Sequence, residues 1–174
     1  MKTKGAELEV NALPIDGLTV WATASWLKTE RKGFCTDPDG PFSAGLTVCG
    51  APKFTYSAGI AYEIGLNDWG SVTAAADWQH QGKQTIAGSR VNELAGVRQF
   101  NGDLISHFRE ASGVVNASLI WRSPESRYQA SFFVKNLTDE LFVQAVTNVG
   151  GLTEIRVPNI RRHWGLEVSA RVGN

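Results

Sequence analysis

The sequence has 174 residues, enough for one domain, and its 17 Lys plus Arg balance 17 Asp plus Glu. A net charge near zero removes any composition-level case for nucleic acid, which calls for a basic surface. No apolar run approaches the roughly 20 residues of a membrane helix, although a membrane β-strand needs only about 10 residues of alternating pattern.

From the N-terminus, Met1 to Glu7 carries lysines with no apolar stretch behind them and does not read as a signal peptide. Period-2 alternation then takes over. Glu7 to Leu13 sets Leu8, Val10 and Ala12 against Glu7, Glu9 and Asn11. After the turn Pro14-Ile15-Asp16-Gly17, Leu18 to Trp26 sets Leu18, Val20, Ala22, Ala24 and Trp26 against Thr19, Thr23 and Ser25. A long Gly/Pro/Asp-rich connection, Thr29 to Pro52, holds both cysteines, Cys35 and Cys49. They have neither CxxC spacing nor a second pair for zinc. A local disulfide in an oxidising compartment and two free thiols are both open.

The third segment sets Phe54, Tyr56, Ala58, Ile60, Tyr62 and Ile64 against Thr55, Ser57, Gly59, Ala61 and Glu63. A short turn at 65–70 leads to Val72, Ala74, Ala76 and Trp78, opposed by Thr73, Ala75, Asp77 and Gln79. A long connection, Gln81 to Gly113, precedes Val115, Ala117, Leu119 and Trp121, opposed by Asn116, Ser118 and Arg122. The short turn Ser123 to Arg127 leads to Tyr128, Ala130, Phe132 and Val134, opposed by Gln129, Ser131 and Lys135. A third long connection, Leu141 to Arg162, precedes His163 to Val172. The expected fold is all-β: an antiparallel up-and-down meander of about seven strands. Short turns on one side and long loops on the other match outer-membrane barrels, where only one rim meets ligands.

A soluble β-sandwich also alternates apolar and polar residues, so a self-standing extracytoplasmic sandwich that binds a ligand or glycan is the alternative. Three features favour a membrane barrel. The apolar face is rich in Ala and aromatics. Five of the 6 tryptophans, Trp26, Trp69, Trp78, Trp121 and Trp164, fall at or near strand ends, where aromatic girdles sit. The polar face keeps Glu9, Glu63, Asp77 and Glu167 within strands, as a wet lumen allows.

Catalytic signatures are missing: no HExxH, GxSxG, Walker A or GxGxxG occurs. His80, His107 and His163 have no ligand spacing, and Asp37-Pro38-Asp39-Gly40 lacks the downstream Glu of a calcium loop. Asn116-Ala117-Ser118 and Asn136-Leu137-Thr138 fit the glycosylation pattern, which carries no meaning in a bacterial outer membrane. The expectation is a protein that is not an enzyme and uses no cofactor or metal.

Five segments, in order, resemble the end of a TonB-dependent outer-membrane receptor. Gly5 to Val10 resembles the family's "GxELE" strand, and Pro14 to Val20 its tight turn and following strand. Ala51-Pro52-Lys53-Phe54-Thr55 resembles "APKxT", and Asn136-Leu137-Thr138-Asp139-Glu140 resembles "NLTDE". Pro158 to Val172 resembles the closing "PR-x-x-G" strand, with Arg161, Arg162, Trp164 and Gly165 the nearest match. Two departures stand out: two extra residues separate Pro158 from Arg161, and the chain ends Val172-Gly173-Asn174 where the family ends on Phe or Trp.

The resemblance spans nearly the whole chain, 1–174, and implies the C-terminal part of a transmembrane β-barrel, with the plug and N-terminal strands absent. It implies outer-membrane uptake of a ferric siderophore or similar bulky, scarce ligand. The partners would be outer-membrane lipid, that small-molecule ligand, and the TonB motor only through the missing plug region. Of the loop arginines, Arg98, Arg156 and Arg161 are candidates to meet an anionic ligand, as are Arg90, Arg109 and Arg162 beside them; solvated loop charge is the plainer reading of each.

Overall fold

The computed structural model describes residues 2–30, 51–85, 108–149 and 153–172. Cys35 and Cys49, the candidate disulfide, lie outside the described residues, as do Arg90 and Arg98.

Seven antiparallel strands form one sheet: β1 (Lys2–Ile15), β2 (Leu18–Glu30), β3 (Phe54–Gly65), β4 (Ser71–Gln81), β7 (Ser112–Arg122), β8 (Tyr128–Lys135) and β11 (His163–Ala170). Each pairs with its neighbours in sequence along the sheet, in the order β1-β2-β3-β4-β7-β8-β11, so the expected meander is what forms. Two short hairpins stand apart from it, β5 (Gln84–Thr85) with β6 (Phe108–Arg109), and β9 (Val143–Val149) with β10 (Thr153–Pro158). No α-helix occurs among the described residues.

The turns at one end are tight. Asp16-Gly17 joins β1 to β2, and single 3-10 turns at Asn67–Trp69 and Pro124–Ser126 make the other two returns. The Glu63 amide donates to the Gly17 carbonyl at 2.8 Å, and the Trp121 indole to the Trp69 carbonyl at 2.8 Å, tying adjacent turns together. All three long connections emerge at the opposite end.

Register assigns the faces. Val10 lies opposite Ala22, Val20 opposite Ile60, Ile60 opposite Ala76, and Ala76 opposite Ala117. Leu119 lies opposite Phe132, and Phe132 opposite Leu166. A strand turns successive side chains to opposite faces, so one face is apolar from edge to edge. Glu9, Thr23, Ser57, Asp77, Asn116, Ser131 and Glu167 share the other.

Nothing among the described residues covers the apolar face. Ile60 is 48% exposed, Leu119 49% and Val168 70%, and no large side chain among the described residues is fully buried. A β-sandwich needs a second sheet about 10 Å away to fill a core between two inner faces. The seven strands make a single layer, and this is the finding against the sandwich alternative.

Two aromatic rings break the polar face, each lying on a glycine. Trp21 covers Gly59, directly opposite it, and Phe133 covers Gly165. A Cβ on Gly59 would run into the Trp21 indole, and one on Gly165 would stand 2.6 Å from the tip of the Phe133 ring. The missing side chain lets the ring lie flat on the backbone, filling the gap that a strand glycine leaves.

Strand limits differ from the expected ones most at the loop end of β1 and β2; β1 also runs on through Ile15, and β11 stops at Ala170 rather than Val172. β1 begins at Lys2 rather than Glu7, and β2 runs to Glu30 rather than Trp26, because the ladder continues through Lys4 opposite Lys28 and Lys2 opposite Glu30. Backbone pairing propagates there without an alternating apolar pattern to announce it.

Candidate functional site

The loop end of the sheet concentrates the polar structure. β8 ends in a turn at Asn136, where the Asp139 amide donates to the Asn136 carbonyl at 2.9 Å. Asn136 and Asp139 hold positive φ, 52° and 56°. Asn and Asp enter the left-handed region more readily than other side-chain-bearing residues, which explains these two types at these two places.

Asn136 is 3% exposed and uses its side chain fully. Its Nδ2 donates to the carbonyls of Glu140 (2.9 Å) and Ile160 (3.1 Å), and its Oδ1 accepts from the Glu140 amide (2.9 Å). Asn159 works beside it: Nδ2 donates to the Glu140 carbonyl at 2.9 Å, and Oδ1 accepts the Phe142 amide at 2.9 Å. Together the two amides bind the exit of β8 to the entry of β11 and frame the root of the β9–β10 hairpin.

Asp139 completes the clamp. Its Oδ1 accepts from Arg161 Nε at 2.8 Å and from the Arg162 amide at 2.9 Å, while Oδ2 accepts from Arg161 Nη2. The Arg161 hydrogen bond, then the Arg162 amide, hold the Asp139 carboxyl well below the usual carboxylate range. Arg161 is raised in turn, first by that same hydrogen bond.

A chain of hydrogen bonds runs from this clamp onto the polar face. Asn116 Oδ1 accepts the Asn136 amide at 3.2 Å, and Asn116 Nδ2 donates to Asp77 Oδ2 at 2.8 Å. Gln79 donates to the same Asp77 oxygen at 3.2 Å. Further round the sheet, Thr23 and Ser57 share a hydrogen bond at 2.8 Å, and Arg122 reaches Gln129 and Thr73, both at 3.3 Å.

Arg109 sits above the loop end, 6% exposed, with its guanidinium 5.0 Å from the centre of the Phe142 ring and donating to Gln81 Oε1. Its Nε has no hydrogen-bond partner among the described residues. Burial lowers its pKa, since desolvation disfavours the cation. Beside it, Lys83 and Glu110 form an ion pair at 3.1 Å.

The sequence-derived candidates thus occupy different settings. Arg161 is committed to Asp139. Arg156 lies on β10 opposite Val146 and is exposed. Arg162 reaches the Leu137 carbonyl at 3.4 Å. The β9–β10 hairpin went unread in the sequence, within what looked like a loop from Leu141 to Arg162. Its signals were alternation in Val143-Gln144-Ala145 and Thr153 to Val157, around the Gly150-Gly151 pair.

A scan against protein-family models and a search of curated proteins return no match. Among solved structures, the chain is similar to the ferric yersiniabactin uptake receptor FyuA from Yersinia pestis, with a TM-score of 0.68 at 16% sequence identity. The match covers 95% of this chain and 23% of that one. The chain therefore spans less than a quarter of that receptor's length, and the likeness establishes the fold alone: an all-β, antiparallel seven-stranded meander, as in an incomplete β-barrel.

Proposed function

We propose that this chain is the C-terminal part of the barrel wall of a TonB-dependent outer-membrane receptor that takes up a ferric siderophore or a similarly bulky, scarce ligand. The observation that carries the reading is the single seven-stranded sheet whose apolar face nothing among the described residues covers. In water such a face exceeds what soluble monomers tolerate; in a bilayer it is the surface that faces the hydrocarbon. Aromatic residues border it at both ends, Trp26, Phe54, Tyr56, Trp78 and Trp164 toward the loops, and Tyr62, Trp69, Trp121 and Tyr128 toward the turns. That is the arrangement of interfacial girdles. The polar face then lines the lumen, and the loop end, with Arg109, Arg156 and the clamp at Asn136 to Arg162, forms part of the rim.

In this reading the wall and loops help to shape a ligand vestibule, and coupling to the TonB motor runs through a plug region outside this chain. Fractionation of the native gene product tests it. The product is expected in the outer-membrane fraction, resistant to extraction by high salt. Recovery in a soluble fraction as a monodisperse monomer would refute the reading.

A further inference from the structure

The link between β10 and β11, residues 159–162, lies outside any strand and carries two adjacent arginines, Arg161 and Arg162, both exposed. Exposed connections are where proteolytic cuts concentrate. Trypsin-like endoproteases cut after a basic residue because a carboxylate in their specificity pocket receives its cationic head. By sequence alone, the Arg161–Arg162 bond is a good substrate.

The fold occupies the groups such an enzyme would need. The Asp139 carboxylate accepts from Arg161 Nε at 2.8 Å and from Nη2, so the guanidinium already rests on an acid. The Arg162 amide, which holds the nitrogen of the same peptide bond, donates to Asp139 Oδ1 at 2.9 Å. One residue upstream, the Ile160 carbonyl accepts from Asn136 Nδ2 at 3.1 Å, and the Asn159 amide donates to the Phe142 carbonyl at 3.0 Å. The following bond, Arg162–His163, enters the β11 ladder, where His163 pairs with Lys135.

We propose that Arg161–Arg162 is a masked cleavage site for arginine-specific endoproteases, and that Asp139 is the mask. In the cut, the bond between the Arg161 carbonyl carbon and the Arg162 nitrogen breaks; water gives its hydroxyl to the carbon and its proton to the nitrogen. The link has to open before it can be cut, so the rate follows the fraction of chains in which it is open. Asp139 lowers that fraction by holding the side chain and the amide on either side of the bond together. A cut leaves β11 on the sheet, through the ladder from His163 opposite Lys135 to Ala170 opposite Tyr128, and frees the end of the β9–β10 hairpin. The inference stands whether or not the apolar face meets lipid.

The test is limited proteolysis with trypsin on the full chain folded in detergent, its folding checked by strand circular dichroism. Mass spectrometry counts cuts after Arg161 and, as a reference at the opposite end of the sheet, after the exposed Arg127. A synthetic peptide of residues 157–166 sets the unmasked rate. The parent should be cut after Arg161 well below the peptide's rate. Asp139→Asn should speed that cut about fivefold, the scale of a forked ion pair that is partly exposed, and leave the cut after Arg127 unchanged. Arg161→Lys keeps a residue that trypsin accepts but loses the forked fit, and should be cut faster as well. If Asp139→Asn does not fold, Arg161→Lys carries the test alone. A parent cut as fast as the peptide overturns the mask, as do parental rates in the variants. Equal acceleration after Arg127 would mean general loosening, and overturns it too.

Discussion

Asp139 holds Arg161 through two guanidinium nitrogens, across 22 residues of chain: Oδ1 accepts from Nε at 2.8 Å and Oδ2 from Nη2, and Oδ1 also accepts the Arg162 amide at 2.9 Å. This one side chain fastens the end of β8 to the start of β11, so the strands stay in register despite the hairpin between them. A pH dependence follows. The folded-state pKa of Asp139 is depressed below its ordinary value of 3.8, so the unfolded state binds the proton more tightly. Its contribution to stability is complete above that ordinary value and is lost as pH falls below it toward the folded pKa. Denaturant titrations in detergent at a series of acidic pH values should show this decline in the parent, and a flatter profile in Asp139→Asn. Identical profiles would refute the role.

Asn136 should be more costly to replace. Asn136→Ala leaves the Glu140 amide and the Ile160 carbonyl without this partner, and places a Cβ-bearing residue without a polar side chain at φ 52°. The two effects together should cost about 2–4 kcal/mol. Asn136→Gly removes the same hydrogen bonds but relieves the backbone, so it should be the milder change. Chemical unfolding in lipid would order the two; an equal or reversed order would count against the backbone component.

Neighbouring residues on β3 test the two faces. Ile60→Arg puts a charge on the apolar face near the middle of the strand, and should cost about 2–4 kcal/mol if that face meets the bilayer midplane. Ala61→Arg, on the polar face, should cost far less. A folding titration in lipid vesicles measures both, and equal costs would undo the membrane assignment.

The Trp21–Gly59 contact should behave as a unit. Gly59→Ala forces the indole off the backbone and should cost about 1–3 kcal/mol, the usual range for overpacking. In the Trp21→Ala background the same substitution should cost much less, because the obstructing ring has gone. A double-mutant cycle gives the coupling directly, and strict additivity would show that the ring does not rest on Gly59.

In plain buffer the chain should aggregate. β1 and β11 each pair on one side only among the described strands, and unpaired edges recruit other chains. The uncovered apolar face adds a second route. Size-exclusion chromatography after dilution from denaturant is the check. A cooperatively melting monomer there would mean that something covers the apolar face.

Alternation along the sequence determined the strands, their faces and the meander. With side chains pointing alternately to two sides, one apolar and one polar position in turn is enough to fix which residues share a face. The short turns after β1, β3 and β7 then left the strands they join no partner but each other. The resemblance at Asn136 to Glu140 marked the right segment, although its role as a clamp could not be read from it: the partners Asn116, Asn159, Ile160 and Arg161 are distant in sequence and meet only when β7, β8 and β11 align. The same holds for Trp21 over Gly59, which depends on register to the residue, and for Lys4 opposite Lys28. Tertiary structure alone decided these, because a pattern local to one strand carries no information about which residue of the next strand stands across from it.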